Sequence, residues 1–261
     1  MSRAGPGERH AVEATDRAAE VFEGGFSAAN EALDRHGGEL RAPAVAAVAR
    51  EAQAWLTGRV AEMAAGWALP RAACREGCAW CCLALSVSAW PLEVFAIADW
   101  LRENRSAGDL AATVTRLREA VREGHRQRAA SSRPPRVPCA LLEGNRCGVY
   151  PVRPASCVGW TSEDVAPCEA YARGDEAAKC RVDPTRMFTA RAVPLAAAAA
   201  LMRRGGPEFD QDGNGPGGYV DLAAGLLAAM DRGPGALAGW LGGEAVLEGD
   251  GDAPGGREQR R

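Results

Sequence analysis

The stretch Cys74-Arg75-Glu76-Gly77-Cys78-Ala79-Trp80-Cys81-Cys82 places four thiols within nine residues, in the spacing C-x3-C-x2-C-C. In helical or turn geometry the steps of four and three bring Cys74, Cys78 and Cys81 to one side, so that three thiolates can converge on one ion. Cys82 follows Cys81 directly, and its side chain is expected to leave in another direction, toward a second metal or the adjoining core.

Downstream, Cys139-x7-Cys147-x9-Cys157 forms a second group. Ala140 to Leu142 and Arg146 to Tyr150 flank Glu143-Gly144-Asn145, which predicts a small hairpin that brings Cys139 close to Cys147. Pro154 suits the start of a helical turn and sets Cys157 near its positive end, where backbone N–H groups favour a thiolate. Neither group offers four well-spaced ligands alone, so the two are expected to meet around a shared site. Cys168 raises the set to eight, enough for two four-thiolate sites or for one four-iron cluster with spare thiols, and Cys180 is left over as a core-filling residue. Arg71, Arg75, Arg146 and Arg153 lie close in sequence and are expected to favour the thiolate form.

The remaining composition narrows the classes. With 47% hydrophobic and 25% charged residues, the 261-residue chain reads as globular, and a net charge of -3 lacks the basic excess of a general nucleic-acid or membrane-surface binder. Met1 to Glu20 carries no apolar core of an export signal, and the most apolar stretch, Ala192 to Met202, is too short to span a bilayer. A reducing, cytoplasmic setting follows, where nine cysteines, an odd number, point to metal or redox chemistry rather than a disulfide framework.

Around the thiols the periodicity is mainly helical. Helices are predicted over 43–67, 91–103, 109–126, 186–203, 220–231 and 237–241, with a short strand over Leu83 to Ser88 and a Pro-rich linker over 129–138. The expected organisation is a disordered leader (1–20), an N-terminal helical segment (21–69), a cysteine-cluster metal-binding domain (70–185), C-terminal helices (186–247) and a disordered tail (248–261). The fold class is mainly α with a small β element, an irregular metal-centred cysteine-cluster domain flanked by helices.

At these residues the chain resembles the YkgJ family of cysteine-cluster proteins, described as zinc- or iron-chelating domains and also as Fe–S-cluster proteins. The resemblance rests on Cys74 to Cys82, the following Leu83 to Glu103, Pro138-Cys139, Cys147 with Tyr150, and Arg153-Pro154-Ala155-Ser156-Cys157, and covers about residues 70–170. Val158 departs from the family, which often has Arg there. The resemblance implies a zinc or iron–sulfur centre held by Cys74, Cys78, Cys81, Cys82, Cys139, Cys147 and Cys157, to which the count of thiols adds Cys168 as the eighth candidate ligand, with no reaction assigned. Flagellin lysine-N-methylases carry a similar cluster, which makes an iron–sulfur-dependent protein-modifying enzyme, or a redox protein, the alternative. A saturated structural centre predicts no open position, whereas an enzyme or redox centre predicts a cleft beside the thiols with polar groups such as Tyr150, Arg153 or Asp164.

Other motifs carry less. Cys74-x3-Cys78-x-Trp80-Cys81 matches the radical S-adenosylmethionine spelling, but the strand–helix series such enzymes need does not follow it. His10, His36 and His125 lie away from the thiol spacing and read as surface residues. Asp210 to Asp221 resembles a calcium loop but ends in Asp rather than Glu and is rich in Gly and Pro, so it reads as a solvent loop.

Overall fold

The computed structural model describes residues 6–67, 69, 71–178, 180–210 and 215–247, and it is mainly α-helical with few, short strands. In chain order the elements are α1 (Pro6–Arg35), α2 (Ala42–Ala54), a π-helical turn (Trp55–Arg59), α3 (Val60–Gly66), α4 (Trp80–Ala84), β1 (Ser88–Ala89), α5 (Pro91–Asn104), α6 (Ala107–Ala130), β2 (Leu142–Glu143), β3 (Arg146–Cys147), α7 (Ala155–Gly159), α8 (Ala166–Ala172), α9 (Pro184–Arg203), β4 (Val220–Asp221), α10 (Leu222–Arg232) and α11 (Ala236–Leu241).

Helix α1 replaces most of the expected leader. It lies along α9, and both helices present small residues at the contact: Ala14, Ala29 and Ala32 with Val21 and Leu33 on one side, Ala192, Ala196, Ala197 and Ala200 on the other. Small side chains let two helix axes approach closely, and the apolar face of the strongly amphipathic α1 is buried there. The predicted helix over 43–67 forms as α2, the π turn and α3 in one run.

The main core draws on the whole chain, joining Leu33 and Val48 to Ile97, Leu101, Leu117, Leu201, Leu226 and Trp240. The segments expected to flank a separate cysteine domain therefore share one interior with it. A smaller cluster of Val21, Leu56, Val60, Ala190 and Val193 also buries Ala155 of α7.

Two short sheets position the thiol region. The strand expected over Leu83 to Ser88 is instead helical to Ala84, and the paired strand is confined to Ser88 and Ala89, which lie antiparallel to Asp221 and Val220, far along the chain. The hairpin forms as expected, with Leu142 opposite Cys147 and Glu143 opposite Arg146. Gly144 and Asn145 both take positive φ, 53° and 63°, as a two-residue turn matched to the twist of the flanking strands requires. No helix among the described residues is long and apolar enough to cross a membrane.

Candidate metal centre

Six free thiols, Cys78, Cys81, Cys82, Cys139, Cys147 and Cys157, line one cavity of about 170 Å³. Each arrives by a separate device. Cys81 and Cys82 sit in the first turn of α4, and the Cys139 N–H donates to the Cys82 carbonyl at 2.7 Å, which ties the Pro138-Cys139 element to that helix. Cys147 is carried by the hairpin, whose base is clamped by two arginines. Arg116 of α6 donates to the Ala140 carbonyl (2.9 Å) and to Glu143 (2.8 Å), and Arg105 donates to the Gly148 carbonyl (2.6 Å).

Cys157 belongs to α7, which is fixed from three sides. The buried carboxylate of Glu93 accepts the Ala155 N–H at 2.6 Å and the Trp90 N–H at 2.9 Å, so it joins the starts of α5 and α7. Burial pushes the Glu93 carboxyl up to about 7, against the two backbone donors and the Arg191 charge. Ser156 donates to the Ser88 carbonyl at 2.7 Å, and Gly159 lies directly against α9.

The remaining thiols lie elsewhere. Cys74 accepts the Ser162 N–H at 3.3 Å and is acted on electrostatically by Cys78, Cys81 and Cys180, and Cys168 is buried on α8, where Cys180 raises it further. Thus Cys74 does not share one helical side with Cys81, since only Trp80–Ala84 is helical, and Cys82 faces the same cavity as Cys81. Cys180, expected to be left over, stands among thiols. Sequence reasoning missed it because its partners lie in other loops.

The electrostatics are those of crowded, desolvated thiols. The adjacent Cys82 thiol favours the Cys81 thiolate and lowers Cys81 to about 6 against the cost of burial, while Cys81 and burial together raise Cys82. Burial pushes Cys139 up to about 11, raises Cys147, and raises Cys157 far above the usual thiol range, with neighbouring thiols adding to the last. Arg153, stacked 4.0 Å over the Tyr150 ring, opposes this at Cys81, Cys147 and Cys157. Arg71, Arg75 and Arg146 are exposed and do not appear among the charges that act on these thiols.

The cavity also carries Tyr150, Arg153, Trp160 and Arg191, but not Asp164, whose carbonyl accepts from Ser162. Trp160 and Arg191 had no local sequence signal, because Arg191 reaches the cavity only through the packing of α9 against α7. Neither His36 nor His125 lines it. Of the Asp210 to Asp221 loop, residues 211–214 lie outside the described residues, and Asp221 caps α10 by accepting the Ala224 N–H at 3.0 Å.

Among the described residues, no group of three or more His, Cys, Asp or Glu side chains is in place to hold an ion as the thiols stand. Cys81 and Cys82 influence each other's protonation, as do Cys168 and Cys180. The donor chemistry nevertheless suits a thiophilic metal: soft sulfur ligands select zinc and iron–sulfur clusters. The cavity is also far larger than the ~15 Å³ that one water needs.

No family model, curated protein or solved structure matches the chain.

Proposed function

We propose that the chain is a metal-binding protein that holds a zinc or iron–sulfur centre through thiolates of the cavity. The observation that carries this reading is the convergence of six thiols, from four separate parts of the chain, on one cavity. Cys81, Cys82, Cys139, Cys147 and Cys157 are the ligand pool, with Cys78 at its border. The cavity volume favours a polynuclear cluster over a single ion. The resemblance to YkgJ cysteine-cluster proteins points the same way.

A second reading is supported by one further observation. Tyr150, Arg153 and Arg191 line the same cavity beside the thiols, as a redox protein or an iron–sulfur-dependent modifying enzyme akin to flagellin lysine-N-methylases requires. The test is metal content, acid-labile sulfide and an optical spectrum on the full chain purified without oxygen, alongside Cys147→Ser. Iron with sulfide and visible absorption, lost in C147S, supports a cluster. Zinc lost in C147S supports a mononuclear centre, and metal content unchanged in C147S overturns the reading.

A further inference from the structure

The wall of the thiol cavity carries positive charge that no carboxylate in it matches. Arg153 and Arg191 line the cavity, and none of its other described lining residues is Asp or Glu. Among the described residues neither guanidinium joins an ion pair or donates a hydrogen bond, and the Nε–H groups of both are buried without a partner. The Trp160 indole N–H in the same wall is likewise buried and unpartnered. The buried Glu93 feels the Arg191 charge, but its two oxygens already accept the Ala155 and Trp90 N–H groups.

The short helix α7 brings the two arginines to one wall. Arg153 stands just before it, and its five residues rise only about 7.5 Å in all. At its other end, Gly159 lies so close to α9 that a Cβ there would be 3.0 Å from Ala190 Cβ, and Arg191 is the next residue of α9. Each guanidinium also has an aromatic platform: Arg153 Cζ lies 4.0 Å from the Tyr150 ring centre and Arg191 Cζ 5.9 Å from that of Tyr219. A guanidinium over a ring has its face occupied and its N–H edge free, and that edge is what recognises a carboxylate or phosphate in bidentate fashion.

We propose that Arg153 and Arg191 form an anion site in the wall of the thiol cavity, and that it takes the phosphate group, or a similar tetrahedral dianion, of a small substrate. The proposal rests on the reading of this cavity as the site of a redox or modifying protein, for which it supplies a substrate class, and it needs no particular metal. Two cations with no carboxylate beside them match a dianion in charge. Their N–H donors can also serve more oxygens than the two of a carboxylate. Charge held away from water is costly unless paired, so a bound dianion removes the cost of keeping two unpaired cations in one cavity.

Inorganic phosphate is the probe, titrated calorimetrically into the full chain purified without oxygen, with metal content measured on the same samples. Arg191→Gln is compared with Arg75→Gln, which removes an exposed charge close in sequence to the thiols. The expected result is one saturable phosphate site, weakened at least tenfold in R191Q and unchanged in R75Q, with R191Q keeping its metal and acetate binding more weakly than phosphate. No saturable binding, or equal binding by R191Q, overturns the proposal. Loss of metal together with phosphate binding in R191Q also overturns it, because the charge then serves the metal centre, and acetate binding as tight as phosphate overturns the dianion class. The metal reading is decided separately by the metal content of Cys147→Ser, whatever phosphate does. Should R191Q fail to fold, arginine modification by phenylglyoxal on the unsubstituted chain decides: phosphate is expected to protect Arg153 and Arg191 but not Arg75. Equal labelling of Arg191 with and without phosphate overturns the proposal.

Discussion

The buried carboxylate of Glu93 accepts the Ala155 N–H at 2.6 Å, linking the start of the helix that carries Cys157 to the start of α5. Glu93 titrates at about 7 in the folded chain, against an ordinary value of 4.5. Between those values the folded state holds a proton that the unfolded state has lost. Glu93 therefore contributes a stability that is full below pH 4.5, falls as pH rises, and is gone above about 7, a span worth on the order of 3 kcal/mol. Glu93→Gln removes the titration, and its amide N–H2 leaves one of the two backbone donors without an acceptor, at a cost of about 1–3 kcal/mol. Urea unfolding between pH 4.5 and 8 is expected to show a falling contribution in the unsubstituted chain that is missing in E93Q. Parallel pH profiles for the two proteins would remove Glu93 from this role.

Gly159 fixes α7 from the opposite end. A Cβ at this position would lie 2.9 Å from Met187 Cα, 3.0 Å from the Arg186 carbonyl oxygen and 3.0 Å from Ala190 Cβ, and the first two are backbone atoms that cannot rotate away. Gly159→Ala must push α7 off α9, with a cost of about 1–3 kcal/mol for overpacking, and it moves Cys157 with the helix. The expected outcome is a lower urea midpoint together with weaker metal retention. Gly58→Ala, where the added Cβ meets nothing within 4 Å, serves as the control.

The hairpin offers a separate handle. Arg116 contacts neither thiol group; it bonds the Ala140 carbonyl and Glu143, and Glu143 also pairs with Arg105 at 3.2 Å. Arg116→Ala is expected to loosen the strand that bears Cys147. The helices should persist, because α6 is held independently through Leu117 and its packing on α10. Circular dichroism and metal stoichiometry separate these outcomes: helicity near that of the unsubstituted chain with reduced occupancy of the cavity centre supports the clamp, and full occupancy refutes it.

How much of this could be read from the sequence follows from how local each feature is. The long helices α5, α6, α9 and α10, and the Gly144-Asn145 hairpin, are set by nearby periodicity and turn chemistry and form within a few residues of expectation, whereas the short α8 has no such period and was not expected. Helix α1 was legible in principle, since its sequence is strongly amphipathic with Ala14, Val21, Ala29, Ala32 and Leu33 on the buried face, but the Pro, Gly and mixed charges of its first turns hid that period. Spacing suggests that Cys74, Cys78 and Cys81 act together, and Cys78 and Cys81 do act on Cys74; what spacing does not show is the approach of Cys180, which the Ser162–Val182 bridge brings in from a distant loop. Glu93 has the sequence context of an ordinary first-turn helix carboxylate, and only the arrival of Ala155 buries it.

Removal of metal should be felt most strongly at low pH. Burial holds Cys139 near 11 and keeps Cys147 and Cys157 above the usual thiol range, so each must give up a proton to bind, and lower pH favours the proton. If the cavity holds the proposed centre, a chelator is therefore expected to strip it faster at pH 6 than at pH 8. Two guanidiniums line this cavity, Arg191 and Arg153, and the charge of Arg153 is the one that acts on Cys81, Cys147 and Cys157. Replacing this arginine tests whether that charge counts: Arg153→Gln keeps a side chain that can hydrogen-bond but removes the positive charge acting on Cys81, Cys147 and Cys157. If the bound centre is anionic, as four thiolates on one zinc ion are, R153Q should speed metal loss several-fold at pH 8, because the net negative charge is then less compensated. If instead Arg153 serves mainly to keep the thiols ionised before loading, R153Q should slow uptake by the apo-protein and leave the rate of loss unchanged. Stopped-flow uptake and chelator-driven release, measured on the same preparation, assign the charge to one of these two roles.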